Sequence, residues 1–255
     1  MSAENDHALR LAHFMLKKVN RAIREFNMVE EGDRIAVGLS GGKDSWTLLS
    51  LLLYRQRFAE EKYSVVALHV LGDARGPETP EHPPLKERLL EHNVEHIIRP
   101  SYTAPDEALP MPCHRCTWNR RRTLFQMAEE TGCNKLAFGH HLDDLAETAL
   151  MNLTRHGRCD TMAPVREYLS GRLTLIRPMM YLPEHEIVRY AGVCGFPPPP
   201  PACPLGGNTE RARVKAILAE LKEGCRDATQ NLVRAALDER RRMEGRLRVK
   251  VPEGI

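Results

Sequence analysis

At 255 residues, with 42% hydrophobic and 28% charged side chains, the chain can bury a sizeable core as one large α/β domain with an appendage or as two small domains. No apolar run approaches the roughly 18 residues of a membrane span. Glu4 and Asp6, followed by Lys17, Lys18, Arg21 and Arg24, argue against a secretory signal, so a cytoplasmic protein is expected.

The net charge of +3 is mild but unevenly spread: residues 211–250 hold 12 Lys or Arg against 6 Asp or Glu, and Arg115, Arg120, Arg121 and Arg122 form a second basic cluster. Basic clusters meet nucleic-acid phosphates or form solvated helix faces. Aromatic residues at 5% leave few base-stacking platforms.

In chain order, Leu9, Ala12, Leu16, Val19, Ile23 and Phe26 recur at spacings of three and four, which predicts an amphipathic helix over 7–27 within an N-terminal segment, 1–30. A short apolar run, Asp33–Leu39, then meets Ser40-Gly-Gly-Lys-Asp-Ser45 and a helical run from Trp46. Strand, glycine turn and helix start make a phosphate cradle. Gly41 and Gly42 permit positive φ and close approach, and the helix offers free amides and its positive dipole end. Lys43 and the hydroxyls of Ser40 and Ser45 can reach phosphate oxygens, while Asp44 can hold a bridging magnesium ion. The spacing differs from the Walker loop.

Ser64–Leu71 reads as a fully buried parallel strand. A turn-rich loop over 72–84 offers no assignable contact, and a short helix, Leu85–His92, and a strand, Val94–Arg99, follow. A proline-bearing loop then delivers Cys113-His-Arg-Cys116 to or just before the start of a helix running from Trp118 to about Thr131, where the dipole favours thiolate. The pair fits zinc, an iron–sulfur cluster, a redox couple or chance. Zinc usually takes two such pairs, and there is no second. Seven cysteines, Cys113, Cys116, Cys133, Cys159, Cys194, Cys203 and Cys225, are many for a cytosolic enzyme, where a disulfide framework is not expected.

The fourth strand, Asn134–Gly139, runs into His140-His-Leu-Asp-Asp144 and a helix whose inward stripe is Leu145, Ala146, Ala149, Leu150 and Leu153. Asp144 and Glu147 have the spacing of a capping box. Asp143 and His140, at a strand's carboxyl end where open parallel sheets bind ligands, are favoured as site residues. The fifth strand is expected at Leu173–Arg177 and a helix from Pro183 to about Val193, closing a domain over 31–195. Residues 196–255 follow. Five consecutive prolines, 197–201, make a polyproline II rod of about 16 Å that ends near Cys203. The rod either holds Cys203 against Cys113 and Cys116 or is a stiff linker with an incidental cysteine. Two basic helices, Asn208–Leu221 and Arg226–Met243, complete the chain.

Together the segment Phe26–Ile35, Ser-Gly-Gly-Lys-Asp-Ser, Cys-x-x-Cys ahead of an arginine-rich helix, Gly-His-His-Leu-Asp-Asp, Ile-Arg-Pro and a late Phe-Pro…Cys resemble the tRNA 2-thiocytidine synthetases, the TtcA-type PP-loop sulfurtransferases, from about Leu16 to Ala216. The resemblance implies a Rossmann-like open parallel sheet of five strands with helical additions at both ends. It also implies ATP and Mg at Ser40, Gly41, Gly42, Lys43, Asp44, Ser45, His140 and Asp143, with Asp44 and Asp143 on the metal. A 4Fe-4S cluster is implied on Cys113, Cys116 and Cys203, leaving one iron open to an external sulfide. The implied reaction adenylates the C2 oxygen of a cytidine, position 32 of the tRNA anticodon loop, and lets sulfur displace AMP. Arg115, Arg120, Arg121 and Arg122 would then hold tRNA phosphates. A cysteine desulfurase as sulfur donor and a homodimer are expected by analogy. The rival enzymes are a PP-loop protein that thiolates another nucleotide or a small molecule, and a lysidine synthetase, which needs no cysteines; the rival from another class is a zinc or redox nucleotide sensor.

Overall fold

The computed structural model describes residues 3–77, 82–201, 203 and 210–248. The first basic tail helix was expected to begin at Asn208, and this residue lies outside them.

The chain forms two compact units, and they do not follow sequence order. The first comprises residues 1–141 and 164–207, the second residues 142–163 and 208–255. An expected division at 30 and 195 therefore gives way to one in which the N-terminal helix, the proline rod and Cys203 share a unit with the sheet.

In the first unit, a six-stranded sheet has the order β3-β2-β1-β4-β6-β5, with β1 Arg34–Gly38, β2 Ser64–Leu71, β3 His96–Pro100, β4 Lys135–Ala137, β5 Val165–Tyr168 and β6 Leu173–Ile176. Five strands are parallel, as expected; β5 is added antiparallel on β6, from Val165↔Ile176 to Tyr168↔Leu173. Four residues are too few to display a period, and β5 gains a partner only because a tight turn with Leu169, Ser170 and Gly171 at positive φ folds it back on β6. The buried run of β2 sits between β1 and β3, and β1 buries Ile35, Ala36 and Val37 completely.

Helices α1 Ala3–Glu25, α2 Lys43–Arg55, α3 Pro83–Glu91, α4 Cys113–Glu130 and α6 Glu184–Cys194 cover this sheet. Of the predicted stripe on α1, Ala12, Leu16, Val19 and Ile23 are buried. Leu48, Leu51 and Leu52 of α2 are fully buried, each worth about 1.5–3 kcal/mol of transfer free energy. That anchorage fixes the start of α2, where the phosphate-loop residues lie.

Strands β1 and β4 are neighbours, with Val37 beside Ala137, while the chain proceeds from β1 outward to β2 and β3 before it crosses back. The order therefore reverses between β1 and β4, and a crevice at the carboxyl ends of strands opens at such a reversal. The loops leaving these two strands are Leu39–Gly42 and Phe138–His141.

The second unit contains α5 Leu142–His156, α7 Glu210–Gly224 and α8 Ala228–Arg248. Leu145, Ala146 and Ala149 of α5 are buried as predicted, but Leu153 is 46% exposed, so the expected inward stripe stops short. Among the described residues no helix is long and apolar enough to cross a membrane.

Candidate active site

The loop after β1 is built as a nest of hydroxyls and amides. Gly41 has φ +86°, which turns the chain toward the helix. The Ser45 hydroxyl donates to the Gly42 carbonyl at 2.9 Å and accepts from the Ser40 amide at 3.2 Å; the Gly42 amide donates to Ser40 Oγ at 3.3 Å. Below it, His69 of β2 is buried and donates Nδ1–H to the Leu39 carbonyl at 2.7 Å, and burial pulls its pKa down. Lys43 and Asp44 occupy the first turn of α2.

Lys43 Nζ lies 3.2 Å from Asp44 Oδ2 and 3.2 Å from Glu184 Oε1. Burial pulls the ammonium down, but the two carboxylates outweigh it and hold its pKa above the ordinary value. Asp44 Oδ1 is buried without a hydrogen-bond donor, though 3.1 Å from Lys43 Nζ and 3.8 Å from His141 Nε2. A buried carboxylate oxygen so placed fits a hard cation's ligand.

The loop after β4 closes directly on this turn. A Cβ on Gly139 would stand 2.9 Å from the backbone carbonyl carbon and oxygen of Asp44 and 3.1 Å from the Ser45 amide nitrogen, so only glycine lets the two loops meet. Gly139→Ala is expected to push the start of α2 outward and weaken ATP binding at least tenfold, measured by calorimetry, while the melting temperature falls by several degrees. Next in sequence, buried Arg177 donates Nε–H to His140 Nδ1 at 3.2 Å, which leaves the His140 hydrogen on Nε2. Glu184, Gly139 and Arg177 had no assigned role in the sequence; Gly139 and Arg177 stand inside the motifs Gly-His-His and Ile-Arg-Pro.

The proline rod crosses the loop. A Cβ on Gly41 would meet Pro200 Cδ at 2.6 Å, and His82 Nε2–H donates to the Pro198 carbonyl at 2.7 Å. Phe196 stacks on Trp46 with ring centroids 6.0 Å apart. The rod is thus docked, and Cys203 lies three residues beyond Pro200.

Both Cys113 and Cys116 lie in the first turn of α4, whose start is earlier than the predicted Trp118. Cys116 feels the charges of both Cys113 and Cys203. Among the described residues no three His, Cys, Asp or Glu side chains are gathered closely enough for a single metal ion; a cubane cluster holds its sulfurs farther apart than one ion does, and all three thiols are free. The expected thiolate-favouring shift is reversed at Cys116: burial pushes its pKa up against the opposing pull of Arg120, and Cys203, Asp73 and Cys113 add to the rise.

The four arginines of α4 separate. Arg115 is held by Glu107, with Nε 2.9 Å from both carboxylate oxygens. Arg121 is exposed. Arg122 lies over the Tyr102 ring at 3.9 Å, and Trp118, half exposed, stands between Arg115 and Arg122 at 4.9 and 5.6 Å. Arg120 turns toward the end of β2 and donates Nη1–H to the Gly72 carbonyl while remaining partly exposed.

In the second unit, Asp143 is buried and Lys222 Nζ donates to its Oδ1 at 2.5 Å. Arg211 pairs with Asp144 and Glu147, at 3.1 and 2.9 Å. Burial still leaves Glu147 with a raised pKa despite Arg211. Part of the basic tail is therefore occupied by the acidic face of α5.

Residues 15–196 match the family model described as a PP-loop domain. The tRNA-cytidine(32) 2-sulfurtransferase of Geobacter metallireducens is 39% identical over 226 residues, covering 85% of this chain and 86% of the relative. The protein of that name from Pseudomonas fluorescens is 36% identical, covering 88% and 83%. In fold the chain is similar to the U34-tRNA thiolase NcsA from Methanococcus maripaludis with its [4Fe-4S] cluster, at a TM-score of 0.68 and 24% identity over 89% of this chain and 79% of that one.

Proposed function

The chain belongs to the PP-loop family of tRNA-cytidine(32) 2-sulfurtransferases, and from this premise we propose how its own residues divide the work of ATP-dependent tRNA thiolation. One observation carries the reading. Pro200 rests on Gly41 of the phosphate loop, and Cys203, whose charge Cys116 feels, follows three residues later, a reach of at most about 11 Å. That short tether supports a shared site for the phosphate cradle and the three sulfurs.

At that site the amides of Gly41 and Gly42, the hydroxyls of Ser40 and Ser45, and Lys43 hold the triphosphate of ATP. Asp44, whose buried Oδ1 has no hydrogen-bond donor, would hold the magnesium ion that the reaction's phosphates need. Asp143, the second expected magnesium ligand, is engaged by Lys222, which leaves Asp44 as the carboxylate that would hold the ion. His140, with its hydrogen on Nε2, donates to the α-phosphate. The C2 oxygen of cytidine attacks the α-phosphorus and pyrophosphate leaves; sulfur at the sulfide level then attacks C2, and the original oxygen departs with AMP. Cys113, Cys116 and Cys203 fit an iron–sulfur cluster, which when bound supplies an open iron where that sulfur is presented.

The tRNA is held at α4 by Arg115, Arg121 and Arg122, with Trp118 as a stacking surface. A donor such as a cysteine desulfurase, a homodimeric assembly and a cytoplasmic setting are carried over from the family resemblance. The reading is tested by incubating anaerobically reconstituted protein with ATP, a sulfide source and unmodified tRNA: AMP and pyrophosphate should appear together with 2-thiocytidine in the digested tRNA. AMP release with lysine addition, or nucleotide binding without turnover, would replace this assignment.

Trp118→Ala should weaken tRNA binding by about 1–3 kcal/mol without changing its salt dependence. Arg122→Ala should instead lower the slope of log K against log salt by about 0.7–0.9, one phosphate's worth. Anisotropy titrations of labelled anticodon stem-loops at several salt concentrations read both effects.

A further inference from the structure

The geometry points to Arg120 as the counter-charge of the sulfur site, a positioning residue that stabilises the anionic group bound at Cys116, and not as an RNA anchor. The inference rests on the proposed iron–sulfur reading.

Arg120 lies one turn beyond Cys116 on the same face of α4. Of the other arginines on the helix, Arg115 reaches Glu107 and Arg122 lies over the Tyr102 ring, both at the surface. The Arg120 guanidinium donates to the Gly72 carbonyl at the end of β2. The adjacent carboxylate, Asp73, is already claimed by Arg75, whose Nη2 lies 2.6 Å from Oδ2 and whose Nε lies 3.2 Å from Oδ1.

Among the described residues, no carboxylate is hydrogen-bonded to Arg120. A partly buried guanidinium bonded to one carbonyl keeps uncompensated charge, and such a charge is most stable where an opposite charge meets it. The groups that feel it are Cys116 and Asp73. Arg75, across the same loop, feels Cys203. Arg120 therefore lies one helical turn from Cys116 with its guanidinium bonded to the loop after β2, and an anion with cysteine thiolate ligands is the guest that would neutralise it. Proteins tune such clusters by nearby charge and hydrogen bonding.

Arg120→Lys and Arg120→Gln separate charge from hydrogen bonding, because both side chains can donate to Gly72 but only lysine is a cation. Wild type and both variants are reconstituted anaerobically in parallel and measured for iron and acid-labile sulfide per chain, reduction potential, and the salt slope of tRNA binding by the apoprotein. The lysine variant should match wild type. The glutamine variant should lose most of its iron and sulfide or, if loaded, show a more negative potential, since the charge added on reduction is no longer offset. All three should share one salt slope. Equal loading and equal potential in the two variants, or a glutamine salt slope lower by one phosphate, would overturn the inference. Should the glutamine variant not fold, Asp73→Asn carries the test with the opposite sign: its potential should rise, and an unchanged potential overturns the inference. A wild-type protein that takes up no cluster defeats the functional reading itself; a loaded wild type with indistinguishable variants defeats only the role of Arg120.

Discussion

Asp44→Asn leaves the protein folded, able to bind tRNA and able to hold its iron and sulfur, and lowers ATP-dependent release of AMP and pyrophosphate by at least about a hundredfold. The substitution keeps the shape of the side chain in the first turn of α2. It removes one negative charge beside the Lys43 ammonium, and it replaces a buried carboxylate oxygen that accepts no hydrogen bond by a group that binds magnesium poorly. Because Lys43 is also held by Glu184 at 3.2 Å, the lysine stays in place and the loss reports on the ion. Release of radiolabelled pyrophosphate in a single turnover is the direct measurement. Turnover within tenfold of wild type would remove Asp44 from the chemistry and leave the loop as a passive phosphate cradle.

The second large effect is expected at Cys203. Cys203→Ala, like Cys113→Ala and Cys116→Ala, should abolish both the brown colour of anaerobically reconstituted protein and the formation of 2-thiocytidine, while ATP binding stays within a few-fold of wild type. Cys225→Ala is the control: this thiol is exposed, lies in the other unit and should leave colour and product unchanged. The cysteine at 203 is the informative one because nothing in its spacing ties it to 113 and 116; it is delivered by a rod whose Pro200 is packed on Gly41 and whose Pro198 carbonyl is held by His82. A brown, active Cys203→Ala protein would mean that the rod is only a covering strap over the phosphate loop. Spectra and iron content decide this independently of catalysis.

The two expectations probe opposite ends of one short path. If Asp44→Asn stops adenylation with the cluster intact and Cys203→Ala removes the cluster with ATP binding intact, then the phosphate and sulfur halves are separable in chemistry although about three residues connect them.

Much of this was legible in the residues. The phosphate loop was, because strand, glycine turn and helix start are contiguous and each is fixed by local preferences: positive φ at Gly41, a buried apolar β1, an α2 with four fully or almost fully buried leucines, Leu48, Leu49, Leu51 and Leu52. The five parallel strands were legible from their short apolar runs. The edge strand β5 was not, since four half-exposed residues acquire strand geometry only from pairing with β6. Nor was the partnership of Lys43 with Glu184, which are 141 positions apart and meet only because α6 packs beside α2.

The sequence alone determined the chemistry available to the protein: a nucleotide-phosphate loop, a carboxylate for magnesium, a Cys-x-x-Cys pair at a helix start and an excess of base over acid. Tertiary structure decided which of those groups work together. It docked the proline rod on the phosphate loop, turned Arg120 toward the Gly72 carbonyl while Arg121 stayed exposed, and gave Asp143, Asp144 and Glu147 to Lys222 and Arg211. The physical reason is that backbone preference acts over a few residues, whereas the direction in which a side chain is buried, and the charge it meets there, depends on which distant element packs against it.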